Sequence, residues 1–327
     1  MIKYLFLYPI SKIFVLIVYL RNYLYDKGIL KETKSRLPII SVGNIELGGA
    51  GKTPFVIALC QLLKENQMNP IIITRGYKRH IKQQIVLDNI SINQYTAQEI
   101  GDEPYYIKQT LPDTPIIISN DKIKAIKKAE EYDAHYIILD DGYQSRYVAR
   151  DINIALINGS RPNQSFAMFP FGFLREPIQN IKRADFIYIT KKKNDCFAFL
   201  KPYLAEYIET TFQIVQYNQG IKTEVTNVND IKHSVAFCGI SDHLYFFNIL
   251  KKMNINNTKN IIFNNHQYYN RTALIKLEQY KQNCFITTYK DFVKLDINFI
   301  KKYLIYVIEM NFIISDVKLI SAIKKMK

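Results

Sequence analysis

Short apolar, β-branched runs recur along the chain, bounded by turn residues and separated by stretches with helical spacing. "RLPIISVGN" is a buried-strand pattern ending in Gly-Asn. "TPFVIALCQLLKEN" follows, with Phe55, Ala58, Leu59, Leu62 and Leu63 on one helical face and Pro54 in the first turn, where its missing N–H costs little. The next strand is "NPIIITRGY", and the alternation continues through "TPIIIS", "HYIILDD", "INIALIN", "DFIYIT", "SVAFCGI", "NIIFN", "CFITT" and "YLIYVIEM". "DKIKAIKKAEEY" and "RTALIKLEQYKQN" are amphipathic helices between them. Strands separated by helices predict an α/β fold with a mostly parallel sheet, whose ligands lie beyond the C-terminal ends of the strands.

Two segments break the rhythm. Residues 203–229 have two extended halves around Asn218-Gln219-Gly220, which predicts a hairpin or hinge. The expected organisation is an N-terminal helix over 1–30, a core over 31–210, a linker over 211–229 and a smaller α/β unit over 230–327. The first 25 residues are rich in Ile, Leu, Val, Phe and Tyr, but the longest uninterrupted apolar run, Ile13 to Leu20, falls short of the ~20 residues a membrane span needs. No small-residue cleavage site follows. Lys3, Lys12 and Arg21, with Tyr4, Tyr8, Tyr19, Tyr23 and Tyr25, predict an interfacial helix, apolar inward with basic and aromatic edges.

Charge adds a constraint. Lys and Arg number 44 against 29 Asp and Glu, a formal +15, so the surface favours polyanions: nucleotides, nucleic acid or an anionic membrane. The lysines are scattered in pairs, with one triple at Lys191 to Lys193, and no zinc-finger or RNP-like pattern accompanies them. Cys60, Cys196, Cys238 and Cys284 are far apart in apolar settings, which predicts buried thiols in a reducing compartment rather than a disulfide scaffold or zinc site.

Five stretches carry chemistry. "VGNIELGGAGKTP" places Gly48, Gly49 and Gly51 between strand and helix, a phosphate-cradling loop in which Lys52 reaches the β- and γ-phosphates and Thr53 offers a hydroxyl to Mg²⁺. The nucleotide-binding residues are Glu46, Leu47, Gly48, Gly49, Ala50, Gly51, Lys52 and Thr53. Glu46 stands where the usual pattern has glycine. Asp140 and Asp141 end a strand, as metal-supporting carboxylates do beside such a loop. Gly101-Asp102-Glu103-Pro104 places two carboxylates at a helix start, Arg175-Glu176-Pro177 offers a cation and a carboxylate in a loop, and His266 follows a strand. Thr53, Asp140, Asp141, Glu103 and Glu176 are the metal-side candidates, without rank.

In order and separation these pieces resemble the tetraacyldisaccharide 4′-kinase family of lipid A synthesis. The resemblance rests on Gly43-Asn44, Gly48 to Pro54, Arg75-Gly76-Tyr77, Gly101 to Pro104, Asp140 to Gln144, Leu174 to Pro177, Phe263 to His266 and Thr288 to Asp291. That family also lacks the first glycine of the loop; it often has Asp where this chain has Asn265, and Gly where this chain has Lys78. The resemblance implies two α/β lobes of P-loop NTPase type with the site between them and an N-terminal helix at the membrane surface. It implies transfer of the γ-phosphate of ATP, with Mg²⁺, to the 4′-hydroxyl of a tetraacylated glucosamine disaccharide 1-phosphate. Asp102 and His266 would act as a dyad taking the hydroxyl proton, and Lys52 and Arg175 would stabilise the transferring group. ATP use and reduced cysteines place the chain as a peripheral protein on the cytoplasmic face of the inner membrane, bound to its anionic surface and to no nucleic acid, and a monomer is expected. Two rivals stay open: a P-loop kinase for a soluble substrate, and a nucleotide-dependent nucleic-acid-binding protein using the +15 charge.

Overall fold

The computed structural model describes residues 2–88, 94–162, 166–191, 198–231, 233–255, 257–280 and 284–326. Lys192, Lys193 and Cys196 lie outside these residues, as do the side chains of Lys3, Tyr4 and Tyr8. Cys60, Cys238 and Cys284 are buried thiols.

Helix α1 (Ile2–Asp26) leads into the first sheet. Its strands are β1 (Ile39–Asn44), β2 (Pro70–Thr74), β3 (Ile85–Leu87), β4 (Ile116–Ile118), β5 (Tyr136–Asp140), β6 (Ile152–Asn158), β7 (Phe186–Thr190) and β8 (Glu206–Tyr207). They lie in the order β3-β4-β2-β5-β1-β6-β7-β8, parallel except for the β3–β4 pairing. Central strands β1, β5 and β2 are buried along their whole length, as expected of apolar runs covered on both faces. Because they are neighbours, their C-terminal ends Asn44, Asp140 and Thr74 converge on one rim. Helices α2 (Lys52–Glu65), α3 (Ala97–Ile100), α4 (Asp102–Thr110) and α5 (Lys122–Ala129) pack among them.

The second sheet contains β9 (Glu209–Asn218), β10 (Ile221–Glu224), β11 (Ser234–Cys238), β12 (Asn257–Ile262), β13 (Cys284–Thr288) and β14 (Leu304–Ile313), in the order β10-β9-β14-β13-β11-β12. The segment expected as hinge or hairpin is a hairpin. Gln219 and Gly220 both take positive φ at its turn, and β9 pairs along the length of β14, so the hairpin is an edge of this sheet. Helices α6 (His243–Lys252), α7 (Arg271–Glu278), α8 (Tyr289–Phe292), α9 (Ile297–Lys302) and α10 (Val317–Lys324) complete this half.

One apolar core runs through both sheets: Phe55 of α2 lies 5.4 Å from Tyr188 of β7 and 6.3 Å from Phe312 of β14. Helix α10 returns to the first sheet, where the Tyr136 hydroxyl donates to the carbonyl of Ile323. Helix α1 shows the inverse of a packing helix. Among its described side chains Ser11, Val18 and Asn22 are the buried ones, while Ile10, Ile13, Leu16, Ile17, Tyr19 and Leu20 are each more than half exposed. No described helix is long and apolar enough to cross a membrane.

Candidate active site

The loop after β1 owes its shape to glycine. Gly51 caps α2 at φ 80°, and a Cβ there would stand 2.9 Å from the Phe312 ring of the second sheet. That conformation turns the chain into α2, whose first N–H groups lack intrahelical partners and attract anions. The Lys52 ammonium lies 3.1 Å from Asn44 Oδ1 and 3.2 Å from Asp141 Oδ1. The Gly49 amide donates to Ser241 Oγ of the second half at 3.1 Å. Lys191 supports the same loop, donating to the Gly49 carbonyl and pairing with Asp242 at 3.0 Å. Ser241, Asp242 and Lys191 were not picked out as site residues in the sequence; no local motif marks them, because they meet the loop only through the fold.

Glu46 points beneath the loop. Its carboxylate accepts from the Asn158 amide and lies 3.2 Å from Arg161, and burial pushes its pKa up to about 7 against the pull of Arg161. Glu46 therefore braces the cradle from below. Leu47 hydrogen-bonds through its backbone to Phe173 and Arg161.

At the end of β5 the two aspartates diverge electrostatically. Asp140 is buried; Thr74 donates to its Oδ2 at 2.9 Å, and Oδ1 has no partner. Burial, then the nearby charges of Glu103 and Asp141, raise its pKa to about 7. Asp141 also pays for burial, but Lys52, Arg175 and Lys122 hold its carboxyl well below the usual range. A buried carboxylate oxygen without a hydrogen-bond partner, beside a phosphate cradle, is one that a cation would satisfy. Among the described residues no three His, Cys, Asp or Glu side chains form a cation cage. Mg²⁺ takes one or two carboxylates and completes its shell with water and phosphate oxygens. Thr53, in the first turn of α2, and Asp140 fit this role, flanked by Asp141 and Glu103.

Arg175 and Glu176, adjacent in sequence, share the Gln144 amide but otherwise have different partners. Arg175 lies 3.4 Å from Asp141, and its Nε is buried without a partner. Glu176 is fully buried. It accepts from Asn22 of α1, Gln144, Asn180 and Arg183, with Arg183 at 2.7 Å. Both its oxygens are committed to joining α1 to the body of the protein, so it leaves the metal-side set.

The second half contributes His266. Its Nδ1 is 2.9 Å from Asp102 Oδ2. Gly101, at φ 100° and ψ 144°, is the bend that lets Asp102 open α4 at this point. His266 itself has φ 58°, an uncommon conformation outside glycine that recurs at functional sites. Burial opposes ionisation of Asp102, yet Lys290 and His266 hold its carboxyl well below the usual range. Lys290 bridges the two acidic side chains, 2.9 Å from Glu103 and 3.7 Å from Asp102. It lies within the Thr288–Asp291 stretch noted in the sequence, where no role was assigned to it. A hydrogen-bonded carboxylate–imidazole pair next to a phosphate cradle is equipped to remove a proton from a bound hydroxyl.

Comparison with known proteins agrees with this geometry. Residues 3–326 match the family profile described as tetraacyldisaccharide-1-P 4′-kinase. The tetraacyldisaccharide 4′-kinase of Aquifex aeolicus is 33% identical over 292 residues, covering 88% of this chain and 89% of that protein. That of Porphyromonas gingivalis is 34% identical over 287 residues, 84% of this chain and 79% of its own. A crystal structure described as the "apo" form of LpxK from Aquifex aeolicus in complex with ATP superposes with a TM-score of 0.77 at 29% identity, covering 97% of each chain. By profile, by relatives and by fold, this chain belongs to the tetraacyldisaccharide-1-P 4′-kinase family.

Proposed function

We propose that this chain is an ATP-dependent lipid kinase that phosphorylates the 4′-hydroxyl of a tetraacylated glucosamine disaccharide 1-phosphate, a step of lipid A synthesis. The observation that carries the reading is the 2.9 Å contact between Asp102 and His266, drawn from two halves of the molecule; the His266 amide donates to the carbonyl of Gly239, two residues before the Ser241 that meets the loop of Lys52.

The chemistry follows from the donors. With Nδ1–H donated to Asp102, His266 keeps a lone pair on Nε2 to accept the hydroxyl proton. The 4′-oxygen forms its bond to the γ-phosphorus as the bond from that phosphorus to the bridging oxygen breaks, and ADP leaves. Lys52 and Arg175 neutralise the equatorial oxygens, and Lys290 fixes the Asp102 carboxylate in its charged form. Thr53 and Asp140 would hold Mg²⁺, which would supply further charge neutralisation at the phosphates. Glu103 and Asp141 stand beside it.

The acceptor fixes the setting. Each buried CH₂ of an acyl chain is worth ~0.8 kcal/mol, so a four-chain lipid stays in its bilayer and the enzyme comes to it. The outward apolar face of α1 supports this, and Phe14 packs 6.2 Å from Phe169 in a loop that also exposes Phe171 and Phe173. Together they form an apolar surface on a basic protein, suited to the anionic cytoplasmic face of the inner membrane. Neither a soluble acceptor nor nucleic acid accounts for that surface. The test is transfer of radiolabelled phosphate from ATP to the lipid disaccharide in mixed micelles, with the new phosphate located on the ring. A 4′-phosphate is expected. ATP hydrolysis without acceptor phosphorylation, or equal transfer to a soluble sugar, would refute the reading.

A further inference from the structure

The turn after β2 has no part in the mechanism above, yet it is built with care and ends beside the dyad. Gly76 and Lys78 both lie in the left-handed region, at φ 63° and 60°. Glycine enters that region freely; lysine does so reluctantly. A buried guanidinium enforces the shape. Arg79, 1% exposed, donates to the carbonyls of Arg75 at 2.7 Å, Lys82 at 3.0 Å and Gln83 at 3.4 Å. Its hydrogen bonds thus go to backbone carbonyls of this segment. Burial, and then the charge of Arg75, lower its pKa, so positive charges crowd one another here.

Pinned this way, the turn directs Arg75, Tyr77 and Lys78 outward. The Tyr77 ring stands edge-on to the His266 imidazole, 5.1 Å between centroids. The Lys78 ammonium is 5.8 Å from the centroid of the same ring. The cation is therefore one aromatic ring away from the proton acceptor, on the scale of a disaccharide. Among the described residues neither Arg75 nor Lys78 has an ion-pair partner. A rigid turn that holds an unneutralised lysine in a reluctant conformation, next to a half-exposed aromatic ring, has the features of an anion subsite.

We propose that Lys78 binds the 1-phosphate of the acceptor, with Tyr77 lying under the sugar between that phosphate and His266. This rests on the reading under Proposed function and assigns Lys78 to acceptor selection. The shared ligand chemistry is a phosphate monoester or diester at the bilayer edge, so acceptor and headgroup must be separated by experiment.

The test compares kcat/KM for the tetraacyldisaccharide with and without its 1-phosphate, in uncharged detergent micelles, for wild type, Lys78→Gly and Lys78→Arg. Glycine suits φ 60°, so Lys78→Gly keeps its melting temperature and a loss is not a folding defect. The preference for the 1-phosphorylated acceptor is expected to fall about ten-fold in Lys78→Gly, the size of one charge-assisted contact, and to return in Lys78→Arg. An unchanged preference would overturn the proposal. So would a Lys78→Gly defect confined to binding of acceptor-free anionic vesicles, which would assign the lysine to headgroups. If the wild type phosphorylates neither acceptor, the kinase reading itself fails, and the proposal falls with it before any variant is compared.

Discussion

Asp140 is a buried carboxyl with one oxygen unpaired. Burial, then Glu103 and Asp141, raise its folded pKa to about 7, far above the ordinary aspartate value. The folded protein therefore holds a proton that the unfolded chain releases across that interval. The associated stability is present at acid pH and is lost as pH rises through about 7. In the absence of nucleotide and Mg²⁺, Asp140→Asn should melt higher than wild type at about pH 8, and the advantage should narrow as pH falls toward about 5. Scanning fluorimetry at both pH values checks this, and a constant gap would contradict it. Glu176 makes the opposite prediction. Glu176→Ala leaves Arg183 and Asn22 without their buried acceptor, so stability falls by ~3–5 kcal/mol while Mg²⁺ affinity of the folded protein holds. Denaturant titration and a metal-binding isotherm measure the two separately. The sequence revealed which residue types were present at these places but not their facing. Arg175 and Glu176 are adjacent in the chain, and only the path of the loop brings one to Asp141 and the other to α1.

Among the elements, α1 best separates what pattern reveals from what it hides. Its length, tyrosines and basic residues were legible, and so was its inability to span a bilayer. Its orientation was not, because the inward stripe is chosen by hydrogen bonds: Asn22 to Glu176, and Arg146 to both the Asn22 carbonyl and Asp26. With those polar anchors facing the protein, Ile13, Leu16, Ile17 and Leu20 face away. Deleting the helix would cut these anchors and confuse anchoring with folding. A charge on the outer face avoids that. Ile13→Glu with Leu16→Glu should abolish sedimentation with anionic vesicles and leave the melting temperature within a few degrees of wild type, since both side chains are exposed. Undiminished vesicle binding would contradict the membrane role. The strands were legible because buried parallel strands are continuous apolar runs. Short edge elements such as β3 and β8 were not, since two or three residues carry no period.

At the scale of the molecule, the two sheets are coupled more closely than alternating elements could suggest. Phe312 touches Gly51 and Phe55, Ser241 meets Gly49, Lys191 pairs with Asp242, and α10 crosses back to Tyr136. A shared core predicts one calorimetric transition with equal calorimetric and van't Hoff enthalpies; two resolved transitions would contradict it. The same coupling brings His266 to Asp102, residues 164 positions apart, a pairing that reached the sequence reading only through family resemblance. Single-turnover transfer from radiolabelled ATP to the lipid disaccharide, in Asp102→Asn, His266→Gln and the double variant, tests that pairing most directly. Each single change should slow transfer by about 10²–10⁴-fold with ATP affinity intact, and the double variant should be no slower than the worse single one, because the two act as a unit. Near wild-type transfer in either single variant, or fully additive losses in the double, would contradict it.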